Sequence, residues 1–307
     1  MYRSITEILE QSEKNKKAFW EIVMEADMES RNASREESRQ KMGQLLDVMR
    51  EADHSYNGEL KSASGLSGGN GALLEDYNRA GKNLCGEFLG KVMERAIKMG
   101  ESNACMKRIV AAPTAGSCGV IPAVLLSYEE YGSVPKNELI NAMYVAARIG
   151  KVVGENASIA GASGGCQAEI GTASAMAAGA LAYLQGGGSE AIANAMALAL
   201  KNMLGLACDP VGGLVEVPCV KRNSHGAVNA VASAQLALAG VKSAISPDDV
   251  IDSMRRIGSE MPVSLKETGK GGLATSESAK RICECTAGGF CFGKQQTGSS
   301  CIHSNTA

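Results

Sequence analysis

The chain has 307 residues, of which 45% are hydrophobic and 21% are charged, and its formal net charge is -2. This balance is typical of a globular protein in water. It provides no basic surface that would attract nucleic acid or an anionic membrane. We therefore expect neither nucleic-acid nor membrane partners, and the length allows one large domain.

The N-terminal segment lacks the apolar core of a signal peptide, and no stretch approaches the roughly eighteen apolar residues of a membrane span. We therefore expect a cytoplasmic protein. In a reducing compartment, ten cysteines are more consistent with free thiols, metal ligands or catalytic groups than with disulfides. Glycine is abundant, at 36 residues, which allows helices to pack closely and loops to close around a small group.

Helical periodicity dominates the chain. Residues 4–30 begin with the capping signature Ser4-x-x-Glu7, after which hydrophobic residues recur at helical spacing. Another helix start is marked by Ser246 in the N-cap place, followed by Pro247 and two aspartates. The remaining predicted helices span residues 35–52, 75–100, 136–153, 172–185, 189–204 and 224–240.

Strands are nearly absent from the pattern. Only the short apolar runs at residues 108–112 and 214–217 would suit a strand, so strands do not alternate with helices. We predict a mainly α fold, with a single catalytic domain over residues 1–293. The polar residues 294–307 are predicted to be a disordered tail.

Four segments rich in small residues interrupt the helical pattern. We call them loop 1 (residues 58–71, GELKSASGLSGGNG), loop 2 (111–122, AAPTAGSCGVIP), loop 3 (158–171, SIAGASGGCQAEIG) and loop 4 (205–219, GLACDPVGGLVEVPC). Loops of this length usually have a function.

Loops 3 and 4 contain Cys166, Cys208 and Cys219. Their spacings of 42 and 11 residues match no local zinc or ferredoxin motif. On spacing alone, three small buried apolar residues would be the simpler interpretation.

The sequence around each cysteine changes that interpretation. SGGCQAEIG surrounds Cys166, LACDPVGG surrounds Cys208 and VPCVKRN surrounds Cys219, while loop 2 contains APTAG and GVIP. These stretches, with KET at 266–268 and GGLA at 271–274, resemble the cluster loops of iron–sulfur L-serine dehydratases. The resemblance extends from the N-terminus to about residue 293.

The resemblance implies a four-iron, four-sulfur cluster held by Cys166, Cys208 and Cys219, in a helical catalytic domain whose glycine-rich loops gather around it. The fourth iron would be open and would act as a Lewis acid on the substrate hydroxyl. Three cysteine ligands suit this role, because a fourth permanent ligand would favour electron transfer. The implied reaction converts L-serine to pyruvate and ammonia.

The same family occurs as one chain or as separate α and β chains. This sequence resembles the α chain, because it starts directly with the catalytic portion. We therefore expect a β subunit as partner, and a homo-oligomer is compatible with the sequence.

Loops 1 and 2 provide the candidates for substrate contacts, because oriented backbone N–H groups and hydroxyls bind anions well. These candidates are Ser62, Ser64, Asn70, Thr114 and Gly116. The base that removes the α-proton is not identified by the sequence. Lys61 would serve if desolvation lowered its pKa, His225 lies six residues after Cys219, and a residue of the β chain is a third choice.

Three other functions compete with this interpretation. The same scaffold would act on L-cysteine if it released sulfide instead of water. A pyridoxal-phosphate enzyme would use Gly186, Gly187 and Gly188 as a phosphate cup, but it would also need strand–helix–strand units. An iron–sulfur redox sensor would need a recognition surface, which the neutral charge balance does not indicate.

The remaining cysteines have less specific interpretations. Cys85, Cys105 and Cys118 are expected to be packing residues, although Cys118 lies in loop 2. Four cysteines near the C-terminus are left without a role: Cys283, Cys285, Cys291 and Cys301.

Overall fold

The computed structural model describes residues 2–285, and these residues are predominantly helical. Within this range there is no strand, only an isolated bridge between Cys208 and Lys266. The prediction of a mainly α fold is therefore confirmed, and neither short apolar run forms a strand. None of the described helices has both the length and the apolar surface needed to cross a membrane.

Thirteen α-helices lie between residues 2 and 285. They are α1 (Ile5–Asn15), α2 (Phe19–Arg31), α3 (Arg35–His54), α4 (Asn70–Arg79), α5 (Gly86–Ala104), α6 (Val120–Gly132), α7 (Lys136–Asn156), α8 (Gly161–Gly164), α9 (Thr172–Leu184), α10 (Ser189–Lys201), α11 (Cys219–Leu238), α12 (Pro247–Glu260) and α13 (Glu277–Cys285). A π-helical turn at Gln167–Gly171 leads directly into α9. The predicted domain boundary at residue 293 and the tail 294–307 lie outside the described residues and stay predictions.

Helix α9 lies at the centre of the fold. Its sequence, TASAMAAGALAYL, is apolar on all sides, and a helix of this kind is stable only when it is surrounded by protein. It packs against α6, α7, α10 and α11. The hydrophobic core that includes it runs from Ile5 to Met254. The N-terminal end of α9 is therefore held rigidly by several neighbours.

Two helix boundaries differ from the sequence prediction because glycine can either end a helix or allow two helices to pack closely. Gly100 was expected to end a helix, but it lies inside α5, where a Cβ atom would come within 3.3 Å of the Cα of Val220 in α11. Its missing side chain allows two helices to approach closely. The predicted helix 75–100 is instead broken earlier, between α4 and α5, where Gly81 has a φ of 66°.

Among the other helix ends, the start of α12 agrees with its sequence signal, whereas the helix predicted at residues 4–30 and the start of α11 differ. The side chain of Ser246 accepts a hydrogen bond from the N–H of Asp249, as an N-cap residue should. The predicted helix 4–30 is two helices, because Lys16 adopts a left-handed conformation between α1 and α2. Helix α11 begins at Cys219 and not at residue 224, so this cysteine belongs to a first helical turn. Helices α6, α8 and α13 were not predicted.

We expect substitution of Gly119, the N-cap residue of α6, to destabilise the fold. An added Cβ would lie 2.5 Å from the carbonyl oxygen of Ala96 in α5 and 3.0 Å from the side-chain oxygen of Asn223. Gly119→Ala should lower the free energy of unfolding by roughly 1–3 kcal/mol, the usual cost of overpacking. Urea unfolding followed by circular dichroism measures this change.

Gly154 in α7 is the matched control, because a Cβ there would meet only Ile159, at an ordinary 3.5 Å. Gly154→Ala should keep or raise stability, by up to about 1 kcal/mol, since alanine is the better helix former. Equal losses in the two variants would show that crowding at the α5–α6 contact is not the cause.

Candidate functional site

The three cysteines of loops 3 and 4 are all buried, and two of them lie at helix starts. Cys166 precedes the π-helical turn before α9, and Cys219 is the first residue of α11. Cys208 lies in the segment that forms the isolated bridge. Their exposed fractions are 3% for Cys166, 3% for Cys208 and 9% for Cys219. The fold therefore removes all three thiols from water.

Burial controls the acidity of these thiols. It raises the pKa of Cys166 to about 11 and that of Cys219 to about 12. Burial also raises the pKa of Cys208, and the neighbouring groups of Cys166, Glu169 and Cys219 raise it further. The three sulfur atoms thus lie close enough to influence one another electrostatically, although they are up to 53 residues apart in the sequence.

Arg222 provides positive charge beside the thiols. It lies one helical turn after Cys219, and its guanidinium group donates hydrogen bonds to the carbonyl of Ala207 at 2.8 Å and to Asp209 at 3.0 Å. It also hydrogen bonds to the thiol of Cys166, which lowers the pKa of that thiol against the larger effect of burial. One arginine therefore connects both cysteine-bearing loops.

The segment after α12 fixes loop 4 from the other side. The N–H of Cys208 donates to the carbonyl of Leu265 at 2.8 Å, and the N–H of Glu267 donates to the carbonyl of Cys208 at 2.7 Å. The second carboxylate oxygen of Asp209 accepts from the N–H of Leu273 at 2.9 Å. The KET and GGLA stretches noted in the sequence thus hold Cys208 in place.

Glu169 joins loops 2, 3 and 4, and the sequence did not identify it as a site residue. Its carboxylate accepts a hydrogen bond from the hydroxyl of Thr114 at 2.8 Å and lies 3.9 Å from the sulfur of Cys208. Burial raises the pKa of Glu169. It lies on the π-helical turn, a distortion that is frequent at functional sites. A lone acidic residue in a loop of small residues was the available sequence signal.

Ser62 and Ser64 lie at the site, where they hold a second buried carboxylate. The hydroxyl of Ser62 donates to Glu216 at 2.6 Å, and that of Ser64 donates to it at 2.9 Å. Glu216 precedes Cys219 by three residues. Loop 1 is therefore attached directly to the segment that carries the third cysteine.

Gly116 brings loop 2 against α11. Its carbonyl accepts a hydrogen bond from the side chain of Asn223 at 2.8 Å. A Cβ at residue 116 would lie 3.3 Å from Val215 and 3.5 Å from Glu169. Together with the contact of Thr114, this places the two loop 2 candidates beside the loops that carry the cysteines.

The remaining loop 1 candidate, Asn70, and the two candidate bases, Lys61 and His225, each contact another polar group of the chain. The side chain of Asn70 donates to Glu101 at 2.6 Å. The ammonium group of Lys61 donates to the carbonyl of Gly68 at 2.7 Å, and the lysine is exposed in this chain. His225 is also exposed, with its Nδ1 3.0 Å from the carbonyl oxygen of Lys221. Neither side chain is desolvated here, and the identity of the base stays a prediction.

The sequence relationships agree with this arrangement. The family model described as "Serine dehydratase alpha chain" matches residues 14–274, which include all four loops. The chain belongs to this family. A "Probable L-serine dehydratase, alpha chain" of Bacillus subtilis is 43% identical over 300 residues, covering 98% of this chain and 100% of that protein. Membership confirms the family identified from the cysteine loops.

Two further relatives of this family extend the comparison. The "L-serine dehydratase, alpha chain" of Peptoniphilus asaccharolyticus is 39% identical over 287 residues, covering 92% of this chain and 97% of its own. An "L-serine dehydratase" of Helicobacter pylori is 35% identical over 285 residues, which is 89% of this chain but 61% of the longer relative.

The donor set of the site fits the iron–sulfur group that the family resemblance implies. Three buried thiols and the half-buried Glu169 would carry several negative charges as anions, and Arg222 shares its one positive charge with Asp209. Anions buried in this way need a compensating cation. Among residues 2–285, no three His, Cys, Asp or Glu side chains are grouped to hold a single metal ion. In a cluster, by contrast, each thiolate binds a different iron.

The remaining sequence features lie apart from this group. Cys85 is exposed and so is not a packing residue, Cys105 is half-buried, and Cys118 is buried as expected. The side chain of Cys283 lies near loop 4, where a Cβ at Gly212 would be 3.6 Å from its sulfur. Cys291, Cys301 and the side chain of Cys285 lie outside what the structure describes.

The triple glycine at 186–188 and a cleft beside α4, α5 and α6 lie apart from the cysteines. The N–H groups of Gly186 and Gly187 donate to the carbonyls of Tyr183 and Ala182, both at 2.9 Å, so they close the end of α9. These two N–H groups are therefore already used within the fold and not directed at a phosphate. A cleft of about 520 Å³ beside α4, α5 and α6 contains none of the predicted site residues.

We expect the buried thiols to react slowly in the iron-free protein. Because burial raises the pKa of Cys166 to about 11 and that of Cys219 to about 12, few thiolates exist at neutral pH, and the thiolate fraction grows as the pH rises. In iodoacetamide labelling at pH 8 followed by mass spectrometry, the exposed Cys85 should be modified at least about tenfold faster than Cys166, Cys208 and Cys219, because the reagent has greater access to it. Equal rates would contradict the burial described here.

Proposed function

We propose that this chain is the cluster-bearing catalytic α chain of an L-serine ammonia-lyase, which converts L-serine to pyruvate and ammonia. The observation that carries the proposal is the convergence of four small-residue loops on three buried, mutually interacting cysteines. Family membership and the names of the relatives support L-serine as the substrate. L-cysteine is the other substrate to be assayed, because it differs from L-serine only in its leaving group.

In this proposal Cys166, Cys208 and Cys219 hold a four-iron, four-sulfur cluster. When bound, such a cluster supplies an iron without a protein ligand, which acts as a Lewis acid on the substrate hydroxyl and makes it a better leaving group. The protein keeps the site dry, because all three cysteines and Glu169 are buried or nearly so. Arg222 balances part of the thiolate charge and orients Cys166.

Thr114 is proposed to bind the α-ammonium group of the substrate. Its hydroxyl donates its proton to Glu169, so its lone pairs remain available to accept hydrogen bonds from a substrate N–H. The half-buried carboxylate of Glu169 adds the negative charge that an ammonium group requires. The carboxylate of the substrate would then be bound by backbone N–H groups of the glycine-rich loops.

The partners and compartment follow from the same proposal. The α-chain names of the relatives support a separate β subunit, which would also be a source of the general base if neither Lys61 nor His225 serves. A homo-oligomer of the chain is compatible with this arrangement. We place the enzyme in the cytoplasm, where reduced thiols are maintained.

The central test replaces each of Cys166, Cys208 and Cys219 by alanine in the protein purified anaerobically with its β chain. Each variant should lose most of its iron and sulfide, and pyruvate formation from L-serine should fall at least about 100-fold, since a missing ligand removes the Lewis acid. Iron analysis, visible absorption and a pyruvate assay measure these changes.

Cys118→Ala is the matched control, because Cys118 is equally buried and lies in loop 2, but its thiol donates only to the carbonyl of Met99, at 3.7 Å. This variant should keep iron and activity. Pyruvate formation by iron-free protein, or full iron content in all three ligand variants, would refute the proposal.

Thr114→Val should weaken substrate binding without loss of iron. The substitution keeps the shape of the side chain but removes the hydroxyl that bonds to Glu169, so kcat/KM for L-serine should fall by about tenfold, as expected for one buried hydrogen bond. Thr114→Ser keeps the hydroxyl and should stay near the wild-type value. If valine and serine behave alike, the hydroxyl does not contact the substrate.

A further inference from the structure

Glu101 is a buried carboxylate whose hydrogen bonds gather around one end of loop 1. It lies on α5 with an exposed fraction of 1%. Oε1 accepts from the N–H of Gly68 at 3.1 Å and from the N–H and side chain of Asn70 at 2.9 and 2.6 Å. Oε2 accepts from the hydroxyl of Tyr56 at 2.7 Å and the N–H of Gly71 at 3.0 Å. One carboxylate thus receives five hydrogen bonds from residues 56–71.

These hydrogen bonds keep the carboxylate charged. Burial alone would raise the pKa of Glu101, but the hydrogen bonds from Tyr56, Gly71 and Asn70 outweigh burial and hold this pKa below its usual value. A carboxylate ion can accept from all five donors, because it has no proton of its own to place among them.

The backbone of loop 1 is shaped to direct its N–H groups at Glu101. Gly68 has a φ of 125°, and a Cβ there would lie 2.1 Å from the carbonyl oxygen of Leu60, so only glycine fits. The N–H of Ser62 donates to the carbonyl of Ser67 at 2.9 Å, and Lys61 closes the same turn through the carbonyl of Gly68. Loop 1 is therefore folded back on itself over Glu101.

The other end of the loop reaches the cysteine-bearing segment through Ser62, Ser64 and Glu216. Loop 1 is thus fixed by one carboxylate on α5 and by another that precedes Cys219 by three residues. The hydrogen bonds of Glu101 go to residues 56–71 and to none of the three cysteines, so the α5 attachment can be disturbed separately from them.

We propose that Glu101 is a positioning residue for substrate binding, which acts by holding Ser62, Ser64 and Asn70 in the geometry that L-serine requires. This inference rests on the proposed function. Glu101 does not touch the substrate. Its role is to fix the order of loop 1 before the substrate arrives, so that binding does not have to order the loop.

Glu101→Gln tests this role in the iron-loaded enzyme with its β chain. Glutamine keeps the volume of the side chain, but its amide group must face either the three donors at Oε1 or the two at Oε2, where N–H would meet N–H or O–H. We expect KM for L-serine to rise at least about tenfold, while kcat changes less than about threefold. The reason is that part of the binding free energy would be needed to order loop 1. Iron content should be unchanged.

Glu94→Gln is the matched control on the same helix. Glu94 is also 1% exposed, but it bonds to Lys91 at 3.0 Å, Lys98 at 2.7 Å and Asn78 at 3.1 Å and not to loop 1. Its substitution should lower thermal stability at least as much as that of Glu101, yet leave KM unchanged. If the role of Glu101 were purely structural, Glu101→Gln would likewise lower thermal stability and leave KM unchanged.

A second readout does not depend on activity. Trypsin cleaves after Lys61, which is exposed within the folded loop. We expect Glu101→Gln to accelerate this cleavage at least about tenfold over wild type and over Glu94→Gln, because loop 1 opens more often. If Glu101→Gln changes neither KM nor cleavage, or if Glu94→Gln changes both equally, the inference is wrong. Lack of pyruvate formation by wild-type enzyme would instead refute the proposed function, and cleavage would still test Glu101.

Discussion

The structure depends on one electrostatic constraint, which is the burial of three mutually interacting thiols in the same place. A thiolate is stable out of water only when positive charge or hydrogen-bond donors lie beside it. Arg222 meets part of this need through Cys166, but it also balances Asp209. In the proposed enzyme, the surplus of acidic groups would suit the site to a positively charged cluster core and to the ammonium group of an amino acid.

Small residues and carboxylates together bring the three thiols into one place. Alanine and glycine allow α5, α9 and α11 to approach closely, so that helix ends carrying Cys166 and Cys219 meet. The loops between the helices are rich in glycine and other small residues. Carboxylates also hold two of these loops: Glu101 and Glu216 accept hydrogen bonds from loop 1, and Glu169 accepts one from loop 2.

The sequence predicted the elements of the site better than the connections between them. Caps such as Ser246 have local signals, and the two loops that carry Cys166, Cys208 and Cys219 are recognised by the short stretches of sequence around each cysteine. Gly100 was misread, since glycine marks both helix ends and close helix contacts. Glu101 and Glu216 were missed because their partners lie 30 to 154 residues away and include backbone N–H groups, which leave no pattern in the sequence.

The long-range nature of these contacts has a consequence for how the protein matures. Ser62 and Glu216 are 154 residues apart, and loop 4 is also held by Leu265 and Leu273. Contacts between distant parts of a chain form late in folding, because the loop between them must first be closed. Iron that arrives during synthesis would therefore meet separate cysteines on an incomplete chain. In the proposed enzyme, cluster assembly would follow folding of the polypeptide, and a truncated chain that ends before residue 265 would lack the support for Cys208.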